Sequence, residues 1–282
     1  MIHVIKNEKF EVSIDSFGAQ INSVKFNGKE RTWQNDSGEW SDHAPVLFPW
    51  CGHFAVKVYE RKYPESVHGL AINTNFAVIE KNENSIRFSI SSSKETKKYY
   101  PYDFIFDVIY TVEGDELKVD YEVGNPTDYE AFFACGAHDS FYTFDKLVDC
   151  AIEFEKEEDL RRVYADDNGL VYGEEKIYPK TKVFAFPNDR IEIDLSLIFK
   201  DIKSSFVYLL NAKREKLAKI YLGGLTNLLC WASPNGEYIC IEPWSNLPDR
   251  VEGNKEEFYN REGVIRLPAK QKKTISRVIK YY

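Results

Sequence analysis

The stretch Tyr238-Ile239-Cys240-Ile241-Glu242-Pro243-Trp244 decides how this chain is read. Its first four residues are uninterrupted by charge, the pattern of a central strand covered on both faces. Pro243 has no amide proton to give to a sheet ladder, so pairing is expected to stop at Glu242, leaving a carboxylate at a strand's mouth beside an indole. Partial burial there raises a carboxyl pKa toward the range of a general base, and Trp244 offers an apolar plane of the kind that stacks on sugar rings. The plain alternative is a solvated strand-end glutamate beside a packed tryptophan.

The same strand grammar extends outward. Phe10 to Asp15 alternates with period two, Gly18 to Val24 follows, and Asn27-Gly28 is a hairpin turn signal. Further runs occur at Ile86 to Ile90, Phe104 to Val112, Leu117 to Val123, Phe206 to Leu210, Ala218 to Leu222, Leu228 to Trp231 and Thr274 to Ile279. In the cleanest, Leu117, Val119, Tyr121 and Val123 are expected to face the core. Helical periodicity never reaches three turns; Ser93 to Tyr100 and Lys255 to Tyr259 are candidates for short helices only. The expected fold is all-β, with many antiparallel strands in a large two-sheet sandwich.

The chain has 282 residues and 43% hydrophobic content, enough for a large core. No linker-like composition shift divides it, so a single domain spanning 1–282 is expected. A net charge of −8 argues against nucleic acid as a partner. The N-terminus lacks the pattern of a signal peptide and no apolar run reaches membrane-spanning length, so a soluble, cytoplasmic protein is expected, with its oligomeric state left open. The cysteines at 51, 135, 150, 230 and 240 lie in apolar runs without a C-x-x-C pair; they read as reduced, buried small hydrophobes.

Two segments are too unusual for ordinary turns. Trp33 to His53 carries Trp33, Trp40, Trp50, His43 and His53 with little strand pattern, the composition of a functional connection. Lys146 to Lys182, with the turn signal Asp166-Asp167-Asn168-Gly169, reads as a solvated excursion of hairpins at the sheet's edge. Among the histidines, His3 and His43 have no supporting context. His68 precedes Gly69, whose missing side chain lets a ligand approach the backbone, and His138 leaves the apolar run Phe132 to Ala137 through small residues. Two imidazoles and a carboxylate suit acid–base work between neutral oxygens. Histidines at metal-binding spacing, a G-x-S-x-G elbow, a dinucleotide fingerprint and a P-loop are all missing, so neither a metal nor any other cofactor is expected.

Six stretches then carry a resemblance: Gly18 to Val24, Ala44 to Pro49, His68 to Ala71 with Phe76, Tyr100 to Phe104, Gly136 to His138 with Phe141, and Cys240 to Trp244. In this order the chain resembles the aldose 1-epimerase (galactose mutarotase-like) family, and within it the branch of lactose-operon-associated, mutarotase-related proteins. The resemblance implies one large β-sandwich whose concave face binds a sugar. It implies that Glu242 takes the anomeric hydroxyl proton, that His138 protonates the ring oxygen, and that His68 holds the ring oxygen or a neighbouring hydroxyl. Asp194, with Asp189 nearby, is the candidate for the family's substrate-orienting aspartate. The expected substrate-binding set is His68, Asp194, His53, Trp244 and Asn73.

The chain departs from the family where arginines are common, carrying His53 and Ile72 instead. Neither restores a guanidinium fork, which disfavours a sugar phosphate. The leading expectation is therefore a mutarotase for a neutral aldohexose. The alternatives are a catalytically weak carbohydrate-binding or sensing protein, and an epimerase of a modified or phosphorylated sugar.

Overall fold

The computed structural model describes residues 1–253 and 255–282. Among the described residues, 15 strands join one sheet built of antiparallel pairs. One stretch of it runs in the order Ala77–Lys81, Ser85–Ser91, Ile105–Glu113, Glu116–Gly124, Lys272–Tyr281, Lys216–Tyr221, Phe206–Leu210. The long strand Ala151–Ala165 then changes partner along its length. Ala151 to Phe154 pair with Phe206–Leu210, whereas Arg161 to Val163 pair with Leu197–Lys200. That switch leads the sheet into a second stretch, which continues through Asn227–Trp231 and Tyr238–Trp244 to Gly136–Ala137 and Val46–Leu47.

The two stretches meet through side chains that alternation aims inward. Phe48 stacks on Phe106 with ring centroids 4.2 Å apart, and Phe141 meets Tyr281. A separate sheet of Ile2–Lys6, Phe10–Asp15, Ile21–Phe26 and Lys29–Glu30 adds Phe10 and Phe26 against Tyr281. The expected sandwich is present. Leu117, Val119, Tyr121 and Val123 are all buried, and Asn27 and Gly28 turn with φ of 51° and 76°. The two helix candidates shrink to single turns, Thr96–Lys98 and Phe258–Asn260, and a five-residue helix, Arg190–Asp194, was not foreseen because so short a segment shows no period. No helix among the described residues is long and apolar enough to cross a membrane.

The decisive stretch departs from expectation. Pro243 does not end it: the strand runs through Trp244 with every residue buried, Leu229 opposite Glu242, Leu228 opposite Pro243 and Asn227 opposite Trp244. On its other side the ladder is interrupted. Gly136 pairs with Trp244 and Asp139 with Ile241, a single register on both sides of the gap, and it places His138 directly opposite Glu242. A proline is tolerated here because a neighbouring ladder is already broken.

Beneath this pair lies a buried ion pair. Arg277 from Lys272–Tyr281 bonds Asp139 and, at 3.1 Å, the Tyr121 hydroxyl. Removing one member strands the other in a dry core, so Arg277→Met should lower stability by about 3–5 kcal/mol. Pairing it with Asp139→Asn should recover a large part of that loss in urea unfolding; a loss under about 1 kcal/mol for Arg277→Met alone would remove the pair from the fold's supports.

Candidate active site

Residues 238, 240, 242 and 244 alternate onto one face of their strand, so Tyr238, Cys240, Glu242 and Trp244 point the same way. Cross-strand neighbours stand about 4.5–5.5 Å apart at their Cβ atoms, which brings His138 onto Glu242. Nε2 of His138 is 3.5 Å from Oε2 of Glu242. Gly136 explains the small residues before His138: a methyl group there would come within 2.6 Å of the Trp244 ring and 2.8 Å of Cys51 Sγ.

Above the pair opens a cavity of about 320 Å³. Its walls include Trp40, Trp231, Trp244, His53, His68, Val67, Ile198 and Leu229. Trp40 stacks on His138 at 5.2 Å between centroids, and Trp231 meets both rings edge-on. Trp244 is nearly fully buried and donates its indole N–H to Ala137 O at 3.1 Å, so it is a supporting wall. The exposed aromatic planes belong to Trp40 and Trp231, both half-buried. Among the described residues lining the cavity, none is lysine or arginine.

Burial decides the electrostatics. It drives the Glu242 carboxyl well above its ordinary range, reinforced by the nearby Asp139, and it drives His138 well below the ordinary imidazole value. His68 falls to about 4 for the same reason. Nδ1 of His68 accepts the Gly52 N–H at 3.1 Å, which leaves the proton of the neutral ring on Nε2. Gly69, with φ of 76°, serves a different purpose from the one expected. A side chain there would collide with the backbone of Phe48, so the glycine admits a neighbouring strand rather than a ligand.

The structure thus brings together Glu242, His138, His68, His53 and Trp244. Asp194 is not part of the cavity wall; it interacts with the side chain of Trp231, which is, and burial raises its pKa. Asp189 is the exposed N-cap of the same helix, accepting from Ile191 N at 2.9 Å. Asn73 is exposed in a separate cleft with Leu70, Thr96 and Tyr99, away from the acid–base pair, and Ile72 is not part of the cavity wall. His43 donates its Nδ1–H to Trp33 O at 2.6 Å, and His3 packs on Phe88; both are structural. All five cysteines are free and buried.

The Lys146 to Lys182 segment requires correction. It is the hairpin of Ala151–Ala165 and Val171–Ala185, and the first of these is a central strand of the sheet. Its tip, including Asn168 and Gly169, lines the cavity. Val171 anchors it by bonding Asp249 O and Val251 N. The Asp-Asn-Gly turn signal was visible in sequence; that it lands beside His53 is a long-range fact no local signal carries.

The sequence profile of the aldose 1-epimerase family matches residues 1–266. The chain belongs to this family. It is 29% identical over 274 residues to the plasmid-encoded protein LacX of Lactococcus lactis subsp. lactis, covering 88% of this chain and 89% of that one. It superposes with a TM-score of 0.90 on a galactose mutarotase related enzyme from Lactobacillus acidophilus, at 25% identity and covering 100% and 97% of the two chains. A galactose mutarotase-like protein from Lactobacillus casei gives 0.89 at 23% identity, with 100% of each chain covered. The protein is accordingly an isomerase of the mutarotase type.

A carboxyl whose folded pKa lies above its unfolded value holds its proton longer in the folded state, so stability falls as pH rises above the ordinary value of 4.5. Glu242→Gln removes that titration. Its stability relative to wild type should therefore grow between pH 5 and pH 8 in urea unfolding; an unchanged difference across that interval would show that Glu242 is not destabilised by its surroundings.

Proposed function

We propose that this protein interconverts the α and β anomers of a neutral aldohexose by acid–base ring opening. The observation that carries the reading is the register that sets His138 opposite Glu242 at the floor of an aromatic cavity without a permanent cation. At about 320 Å³ the cavity is at the low end of small-ligand sites, roughly 300–1,000 Å³.

Burial favours the uncharged state of the pair, with one proton on Glu242 and neutral His138. Moving that proton to His138 gives carboxylate and imidazolium, the state in which Glu242 accepts the anomeric proton while His138 protonates the ring oxygen. Both states contain the same number of protons, so their ratio is independent of pH. The C1–O5 bond breaks, the open aldehyde rotates about C1–C2, and reverse transfers close the ring as the other anomer. His68, with its proton on Nε2, donates to the ring oxygen or an adjacent hydroxyl. Trp40 and Trp231 offer their planes to the apolar face of the sugar.

Glu242→Gln and His138→Asn should each cut interconversion of α-glucose or α-galactose about 10²-fold or more by polarimetry. The double variant should be little worse than either single one; fully multiplicative losses would separate the two residues. Near-normal turnover of Glu242→Gln would remove it from the mechanism.

The acid limb of kcat/KM reports addition of a second proton to the pair, and burial holds that step below the ordinary imidazole value of 6.5. The plateau should therefore extend below pH 6.5, and an acid limb centred above it would contradict the shared-proton state. Neutral hexoses should also be preferred to their 6-phosphates, because the described residues of the cavity wall include no lysine or arginine to offset a phosphate dianion's desolvation. A preference for glucose 6-phosphate over glucose in kcat/KM at pH 8 would overturn this assignment.

A further inference from the structure

The third inward residue of the decisive strand has no place in that chemistry. Cys240 precedes Glu242 by two positions, on the same face, and is paired across the sheet with Ser140 and Trp231. One ligand atom from each of His138, Cys240 and Glu242 lies within 4.8 Å of the others, and all three residues are buried. Trp40 covers this corner, packing on Tyr238, His138 and Trp231. Nδ1 of His138 is buried without a hydrogen-bond partner, so no bond to the fold dictates which ring nitrogen carries the proton and Nε2 can offer its lone pair toward Glu242.

We propose that His138, Cys240 and Glu242 form a site for a thiophilic divalent cation of the zinc type, and that its occupation blocks acid–base transfer. The donor set is one nitrogen, one sulfur and one oxygen, which suits zinc or cadmium and disfavours magnesium or calcium. Tetrahedral coordination at zinc's usual bond lengths separates ligand atoms by about 3.3–3.8 Å. The 3.5 Å between His138 and Glu242 already meets this, and the thiol lies within 4.8 Å of both. His138 and Glu242 both line the cavity, so the fourth position of a tetrahedral ion would be filled by water from that side.

Charge makes the site selective. A metal ion binds thiolate and carboxylate forms, so any protons that Cys240 and Glu242 carry must leave when it enters. Binding M²⁺ expels one proton from each to solvent, and the resulting thiolate and carboxylate balance the cation, so the buried centre carries no net formal charge. The ion takes the nitrogen and oxygen lone pairs between which the proposed reaction passes its proton. The ion thus blocks that proton transfer. Cys240, which reads in sequence as a space-filling hydrophobe, becomes the residue that distinguishes cation binding from catalysis.

The test uses cadmium added to the full-length protein. Wild type should take up about one equivalent with a thiolate-to-cadmium absorption band, and release about two protons when calorimetry is repeated in buffers of different ionisation enthalpy. Cys240→Ser and Cys240→Ala should lose the band while retaining metal-free mutarotation within about twofold, whereas Cys51→Ser and Cys230→Ser keep it. Cadmium should inhibit wild type at least tenfold more strongly than Cys240→Ala, and a chelator should restore activity. A band that survives in both Cys240 variants, or that vanishes with Cys51 or Cys230, would overturn the site. So would the absence of any band from wild type, which needs no folded variant. Inhibition rests on the proposed activity, whereas the band and proton release do not. A protein that binds cadmium through Cys240 but has no mutarotase activity would sink the functional reading and leave the metal site standing.

Discussion

The site depends on one register. Gly136 opposite Trp244 and Asp139 opposite Ile241 leave His138 facing Glu242, and a slip of the His138 strand by one residue would turn His138 to the opposite face. Several features hold that register in place. Gly136 admits the Trp244 ring, the Trp244 indole bonds Ala137 O, and the Ser245 hydroxyl accepts the Cys135 N–H at 3.0 Å. Asp139, the residue after His138, is tied to Arg277 in the facing stretch of sheet. The acid–base pair is therefore fixed by the same contacts that join the two layers.

The sheet's geometry also explains why the pair is dry. Glu242 lies within a fully buried strand, with Leu229 across one ladder and His138 across the other. Two ionisable groups in such surroundings are each pressed toward neutrality, and one shared proton satisfies both. Had Pro243 ended the strand, Glu242 would have met water at the sheet's edge. Its continuation past the proline is what gives the carboxyl its raised pKa.

Much of this was legible in the sequence, for local reasons. Period-two alternation found Leu117 to Val123 and Phe206 to Leu210 because each strand has one core face, and the uninterrupted run before Glu242 marked a central strand. The six family stretches pointed to His68, His138 and Glu242, which the fold assembles. What failed was non-local. Pro243 looked like a terminator because sequence does not show that the adjacent ladder is broken, and the hairpin at Asp166 looked solvated because nothing nearby states where its tip lands. Asn73 follows His68 closely in sequence, yet the turn Ala71–Asn73 sends it to another cleft. Trp40 and Trp231 were passed over for Trp244, since an indole beside the glutamate in sequence is not the one most open to the cavity.

The absence of lysine and arginine among the described residues of the cavity wall and the buried ion pair below it are two sides of one electrostatic arrangement. Asp139 is among the charges that push Glu242 upward, and Arg277 counters Asp139 by direct bonding. Without Arg277 a second unpaired carboxylate would stand beside Glu242. An arginine placed in the wall would instead pull Glu242 toward permanent ionisation, and its carboxylate would be a weaker base. With its cation beneath the cavity floor and bonded to Asp139, the buried ion pair carries no net charge while Glu242 keeps its raised pKa.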